Sequence, residues 1–355
     1  MTNHLLNLPS GPAGVKIAAE AWGGAWSGDR RARLDVNEAL STSDTFQRAS
    51  GQVFAAELMR AYDAAPKVWG QYASRTVVND FRPKKIIDLF GGRSGLDLVP
   101  ELTEYPARQA DRTEYEVQVR KYGARFAWSW EASVNDELDE FSRYPTALAT
   151  AAAEEESRQA AGLLVTRNGI NTAFFKAGNK NTPDTAPLTR EALTAAYQKV
   201  SAHRDADGRP VSTQGFVLVV PQALALQASA ILDARETRIT GADGAVTVLN
   251  GSQLSGRISL VVDPWLDVVN ESAKAATTWF LLPAPAAQRT LTVAFLRGEE
   301  TPELRVKSDT GQRVGGGTIA PEKGSFDVDD VQYRVRHTIG AAHLDPAGTY
   351  ASSGA

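Results

Sequence analysis

The chain has no cysteine, and only four histidines and two methionines among its 355 residues. Without thiols there is no disulfide, no thiolate nucleophile and no cysteine metal site. His4, His203, His337 and His343 are scattered, in none of the spacings, such as His-Glu-x-x-His, that bring two imidazoles to one metal. Long apolar runs are missing too. The longest, such as "FVLVV" and "WFLL", are strand-length, far short of the roughly 20 residues of a membrane span. Nor is there an excess of one charge: 38 basic against 42 acidic residues leave a net charge of −4. That balance argues against strong intrinsic attraction to nucleic acid or to an anionic membrane. "MTNHLLNLPSGPAGVK" lacks the basic start and apolar run of a signal peptide. The expectation is a soluble protein, made in the cytoplasm, with no metal and no cofactor.

Catalytic patterns are equally sparse. The glycine runs "GGRSG" and "RVGGGT" lack the Lys-Ser/Thr of a phosphate loop and do not join a strand to a helix, so they read as turns. No Gly-x-Ser-x-Gly elbow occurs. Glu154, Glu155 and Glu156 are consecutive and on a helix point in different directions, which suits a solvated face or a subunit contact better than a carboxylate pair. An enzyme is therefore a distant reading.

At 355 residues and 43% apolar content the chain has material for about two domains. Residues 1–45 show neither helical nor alternating period. Glycine-rich and charged, they read as a solvated tail or as an arm ordered against another surface. Trp22 and Trp26 favour the arm, because a plain linker seldom carries such large apolar groups. The glycines of "AWGGAW" argue against a helix there, so each ring is expected to find its own pocket on a neighbouring subunit. Arg30, Arg31 and Arg33 are expected to pair with acidic surface or to face DNA.

A helix is expected over 51–63, with Val53, Phe54, Leu58 and Tyr62 on its apolar face. β signals follow in "RTVVND", "KKIIDLF", "LDLVPELTEY" and "TEYEVQVRKYGARFAWSW". Large apolar residues are thin from 75 to 125, so this hairpin region needs something outside itself to lie on. In "KYGARFAWSWEASVNDELDEF" an alternating strand, with Phe126, Trp128 and Trp130 on one face, runs into helix spacing from Glu131 without a turn. Pro145 predicts a break, with a second helix running to a stop at Asn168-Gly169. Beyond Ile170 helices ("TREALTAAYQKVSAHRD", "PQALALQASAILDARE") alternate with strands ("GFVLVV", "AVTVLNG", "RISLVVDP", "TTWFLLP"), and two long strand regions close the chain. The fold class is α+β.

"KYGARFAWSWEASVNDELDEFSRYPTALATAAAEEESRQAAG" resembles the segment of tailed-bacteriophage major capsid proteins in which the extended loop returns and enters the spine helix. The resemblance rests on Tyr122-Gly123, Ser129-Trp130-Glu131, Asn135-Asp136 and Leu138 to Phe141. "TTWFLLPAPAAQRTLTVAFLRGEETPEL" and "DDVQYRVRHTIGAAHLDPAGTY" resemble the exit from the axial domain and the closing strand of the same family. The resemblance implies the Hong Kong 97-like capsid fold: an N-terminal arm (1–45), a helical segment of the peripheral domain (46–74) and an extended β-loop (75–125). The spine region (126–170), an axial domain (171–292) and closing peripheral strands (293–355) follow. Lys84, Lys85 and Arg93 on the loop, and the three glutamates, then become candidate inter-subunit contacts. The implied partners are the chain itself as pentamers and hexamers, a separate scaffolding protein, a portal, a decoration protein in some shells, and DNA held by confinement. The implied location is the virion. An encapsulin, a bacterial compartment of the same fold, is the nearest alternative; the absence of a starting helix to dock cargo counts against it.

Some members of that family cross-link a loop lysine to an asparagine near the C-terminus. Here no asparagine follows Asn270 and no cysteine exists. Assembled shells are therefore expected to run as a single-chain band on a denaturing gel; a ladder of covalent oligomers would contradict this.

Overall fold

The computed structural model describes residues 4–9, 11–42, 44–89, 98–101, 103, 112–129, 138–204, 215–233, 236–240, 246–250, 254, 256–307, 311–312, 314, 318–319 and 330–354. Helices α1 (Pro12–Trp26), α2 (Arg30–Thr42) and α3 (Asp44–Ala64) precede strands β1 (Ser74–Val78), β2 (Lys84–Leu89), β3 (Arg112–Val117) and β4 (Arg120–Ser129). Helix α4 (Leu138–Leu164) is followed by the short strands β5 (Val165–Thr166) and β6 (Gly169–Ile170), then by α5 (Arg190–Ser201). Next come β7 (Phe216–Val220), α6 (Ala225–Leu232), β8 (Glu236–Thr240), β9 (Val246–Asn250), β10 (Ile258–Val262) and α7 (Trp265–Val269). The chain closes with β11 (Trp279–Pro283), β12 (Leu291–Leu296), β13 (Glu303–Val306), β14 (Gly311–Gln312), β15 (Thr318–Ile319), β16 (Asp330–His343) and β17 (Tyr350–Ser352). It divides into two compact units: residues 1–66, 121–155 and 298–338, and residues 67–120, 156–297 and 339–355.

In the first unit the N-terminal segment is not an extended arm but two helices packed with α3. Pro12 starts α1, where its missing N–H costs nothing, and Gly23 and Gly24 stay helical. Trp22 and Trp26, four apart on that helix, come together with ring centres 5.6 Å apart. The Trp22 ring meets Phe54 edge-on at 4.9 Å and is fully buried, while Trp26 is partly exposed. Each glycine costs a helix about 1 kcal/mol relative to alanine. Burying one indole returns roughly 2–3 kcal/mol. Gly24 has a further use: a Cβ there would lie 3.0 Å from Cβ of Ala32, so α2 lies close against α1. The expected contact of Trp22 with a neighbouring subunit is thereby corrected: its pocket belongs to its own chain.

The sheet of this unit consists of β4, the first part of β16, and β13, with Glu303 opposite Arg336 and Val306 opposite Tyr333. Alternation turns Tyr333, Val335, Leu304 and Phe126 inward. Phe126 stacks between Tyr144 at 4.9 Å and Tyr333 at 5.1 Å. The alanines of α4 (Ala149, Ala152, Ala153) let the helix pack closely against Leu58 and Tyr62 of α3. Trp130 and the start of the expected helix at 131–137 lie outside the described residues. Pro145 does not break the helix. It sits inside Leu138–Leu164, and the packing of Tyr144, Leu148 and Ala149 around it offsets the lost backbone bond. Asn168-Gly169 is no helix stop either: the helix ends at Leu164, and Gly169, at φ 120°, opens the short strand pairing back onto Val165–Thr166.

The second unit is built on a sheet ordered β10-β7-β11-β17, with β7 parallel to β10 and antiparallel to β11. All five residues of β7 are buried, as expected for a strand covered on both faces. Helices α5 and α6 supply Leu193, Ala196, Val200, Ala228 and Leu232 to its core. Thr189 caps α5 by accepting from the Ala192 amide at 3.1 Å. A second set of pairings joins β1 to β12 in parallel and β12 to the last residues of β16. Glu236, expected as the last residue of a helix, opens strand β8, paired with β9. Of "LDLVPELTEY", the described residues 98–101 and 103 form no strand, and Thr103 N donates to the Pro100 carbonyl in a turn.

Because the tryptophans belong to the subunit's own core, Trp22→Ala is expected to destabilise the unassembled subunit by about 3–5 kcal/mol. Denaturant unfolding of the unassembled protein checks this. An unchanged midpoint, with loss appearing only in assembled particles, would return the ring to a neighbour.

Candidate assembly surfaces

The β2–β3 hairpin pairs Lys84 with Val117 at its root and Leu89 with Arg112 further out. One face, with Ile86, Tyr115 and Val117, packs onto Val78, Val119, Ala294 and Ala342. The hairpin, expected to need something outside itself to lie on, finds it for its root within its own chain, in the second unit. The opposite face is charged. Lys85 Nζ lies 2.6 Å from Glu114 Oε2, and this hydrogen bond, then the charge itself, raises the lysine pKa. Lys84, on the same face as its partner Val117, is exposed at the end of the strand, and Phe81 and Leu98 are exposed as well, the latter at 94%. Arg93 lies outside the described residues.

Close backbone approach fixes where this ribbon leaves. A Cβ on Gly340 would stand 2.0 Å from the Gln118 carbonyl oxygen, and one on Gly123 2.5 Å from that of Val335. Only glycine lets the chain pass β16 at these two points. The tyrosine-glycine pair at 122–123 therefore has a steric meaning that its sequence pattern alone did not disclose.

The basic run after α1 is partly consumed within the subunit. Asp29 accepts from the amides of Arg31 at 2.9 Å and Ala32 at 3.4 Å, capping α2. Arg33 Nε donates to the Ala25 carbonyl at 3.0 Å, near the C-terminal end of α1, where a cation is favoured. Arg30 and Arg31 are exposed. The three glutamates separate as helical geometry requires: Glu154 is exposed, Glu155 half-buried and Glu156 fully buried. Glu156 Oε2 accepts from Trp69 Nε1 at 3.2 Å, so it is not a surface contact, and that expectation is corrected. The helix places position 156 inward however many carboxylates precede it.

Two buried polar groupings escaped the sequence reading. Tyr72 donates to Asp263 Oδ2 at 2.7 Å, and Asp263 Oδ1 accepts from the Trp265 amide at 2.9 Å. Burial, the largest cause, raises both pKa values. Its sole sequence signal is Asp-Pro before a short helix. Arg336 bridges Glu299 at 2.9 Å and Glu303 at 2.7 Å, and Glu303 also holds Arg305 at 2.8 Å. The hydrogen bond from Arg305 leads the forces that lower the Glu303 pKa. Among the described residues no group of histidine, aspartate and glutamate is arranged to hold a metal, and no helix is long and apolar enough to cross a membrane.

A family model described as phage capsid protein matches residues 113–352, about two-thirds of the chain. No curated protein matches. Among solved structures, the capsid of cyanophage P-SCSP1u is similar at a TM-score of 0.50 and 10% identity, over 81% of this chain and 88% of that one. The virus-like particle of Pyrococcus furiosus aligns at 0.42 and 12%, covering 84% and 97% of the two chains. The protein of Mycobacterium phage Patience aligns at 0.44 and 12%, covering 88% and 89%. With the family model spanning β3 to β17, the chain belongs to the phage capsid protein family and has the Hong Kong 97-like fold.

Proposed function

We propose that this protein is the major head subunit of a tailed bacteriophage or prophage, assembling as pentamers and hexamers into an icosahedral shell around packaged double-stranded DNA. The observation that carries the reading is the family match across residues 113–352, which takes in the hairpin's return strand, the long helix and the closing strands. Exposed apolar side chains, Phe81 and Leu98 in the hairpin region and Leu226 and Val268 on short helices, suit a surface completed by copies of itself. Many modest contacts of this kind add up across a shell, so no single interface has to be strong. Its partners in this reading are a separate scaffold, a portal and DNA held by confinement, with assembly in the host cytoplasm. The domain scheme carries over as part of the proposal: extended loop 75–125, axial domain 171–292 and peripheral domain around the spine helix.

An encapsulin shell is the neighbouring alternative. The chain's helical start removes one objection to it, since α1 and α2 stand where an arm was expected. The match to the phage capsid family still favours the head subunit.

Expressed with and without the neighbouring gene products, the chain is expected to elute as capsomers or closed particles by size-exclusion chromatography and electron microscopy, with no associated catalysis. A monomer under every condition would overturn the reading. Particles that load a co-expressed peroxidase or ferritin-like enzyme would shift it to an encapsulin.

A further inference from the structure

Within the second unit, the carbonyl end of α4 is closed by two side chains. Asn171 Nδ2 donates to the Gly162 carbonyl at 3.3 Å and to that of Leu163 at 3.2 Å, and the Asn171 amide donates to Leu164 at 3.0 Å. His343, the last residue of β16, donates from Nε2 to the same Leu163 carbonyl at 2.8 Å. A carbonyl only accepts, so the proton of the neutral ring sits on Nε2. The imidazole lies flat on Phe174, with ring centres 4.4 Å apart and planes 14° from parallel. Phe174 meets Phe175 edge-on at 5.0 Å, and Phe175 packs on Phe280 of β11 at 5.5 Å, all three buried. One imidazole thus joins the end of a long helix, the closing strand and an aromatic row that runs into the core of the sheet.

We propose that His343 is an acid-sensitive latch: neutral, it fastens segment 171–175 and the end of β16 to the carbonyl end of α4, and protonated, it lets them go. The latch is a property of the single chain and stands whether or not the chain forms a shell. A helix C-terminus favours a cation, but burial opposes one. Burial is the larger force: it holds the His343 pKa below the ordinary imidazole value, and the hydrogen bond to Leu163 offsets only part of it. Neighbouring charges are not among the causes. The last turn of α4, segment 171–175, β11 and β12 carry no charged residue. Nearby, Lys176 and Arg289 are exposed, and Arg167 is paired with Glu271 at 2.6 Å. Asp345 accepts from Gln288 at 2.8 Å and from the Ala347 amide at 2.9 Å. A second ring proton, on Nδ1, adds a charge and a donor where Leu163 is the ring's one hydrogen-bond partner among the described residues. The ring is only half-buried, so water is within reach. Turning toward it leaves Leu163 to Asn171 and uncovers Phe174.

The sign follows from linkage. At about pH 7.5 the ring is neutral in both the folded and the unfolded chain. As pH falls through about 6.5, the unfolded chain takes up a proton that the folded site refuses, so stability is lost from there downward until the lowered folded value is reached. Asp263 and Asp267 of the same unit act oppositely, because burial raises their pKa values and acid relieves their charge. A melting curve of the parent alone therefore mixes the two effects, and the latch is read locally.

The test uses the unassembled full chain labelled with carbon-13 at histidine Cε1. Four histidines give four resonances, and that of His343 is the one missing from His343→Gln. It is expected to titrate below the ordinary value of about 6.5. Hydrogen exchange, corrected for the intrinsic effect of pH, is followed from about pH 7.5 to about pH 5. In the parent, segment 162–176 should lose protection on acidification while the buried β7 keeps its own. A glutamine at 343 can still donate to Leu163 and does not titrate, so His343→Gln should hold the segment closed at both ends of the range. His203→Gln should behave like the parent. A His343 titration at or above 6.5 overturns the latch, as does protection of 162–176 that acid leaves unchanged in the parent. Equal loosening in the parent and in His343→Gln also overturns it, by assigning the response to other groups. Should His343→Gln be loose already at neutral pH, the parent's own resonance and exchange decide the matter.

Discussion

The pairing of β16 is the constraint on which the rest of the structure depends. Its first part bonds to β13 and β4 and its last residues to β12. Buried backbone groups must find partners, and these pairings supply them at 333–336 and 339–343. The same strand must also bury a face. Tyr333 and Val335 do so beneath the helices of the first unit, Ile339 and Ala342 in the second. Gly340 then has to be glycine, because the chain entering β4 passes where a side chain would stand.

Around that strand the apolar groups are shared out in separate clusters. The N-terminal helices close over Trp22, Trp26 and Phe54, α3 and α4 meet through small alanines, and α5 and α6 cover the fully buried β7. The hairpin is the exception, with one face of its root anchored by Val117, Tyr115 and Ile86 and the other left charged. Such a division suits a subunit that has to keep its own fold while offering surface to others. A catalytic centre would require convergent polar groups in a pocket, whereas Tyr72 and Asp263, the most buried pair here, satisfy each other.

Charge follows the same logic. Arg33 and Asp29 complete helix ends, Glu156 accepts a hydrogen bond from the Trp69 indole, and Arg336 ties two glutamates together. Residues that look alike in a run, such as the three consecutive glutamates, end in different surroundings because a helix turns about 100° per residue. A charge run is thus a poor guide to a surface until the helix phase is known.

By itself the sequence determined the α+β class, most strands and helices, and the family resemblance, because these rest on periodicity that local geometry imposes. Val331, Tyr333 and Val335 against Gln332, Arg334 and Arg336 announce a half-buried strand whatever surrounds it. Tertiary structure alone decided the rest. It made a helix of "AWGGAW", since burying Trp22, with Trp26 packed beside it, against Phe54 outweighs the glycine penalty, and no local window contains Phe54. It carried α4 through Pro145, turned Asn168-Gly169 into a hairpin, and set Arg334 opposite Arg305 across nearly thirty residues of chain. Each of these outcomes is settled by a partner distant in sequence, and the energy of a contact is not written in either residue until folding has brought the two together.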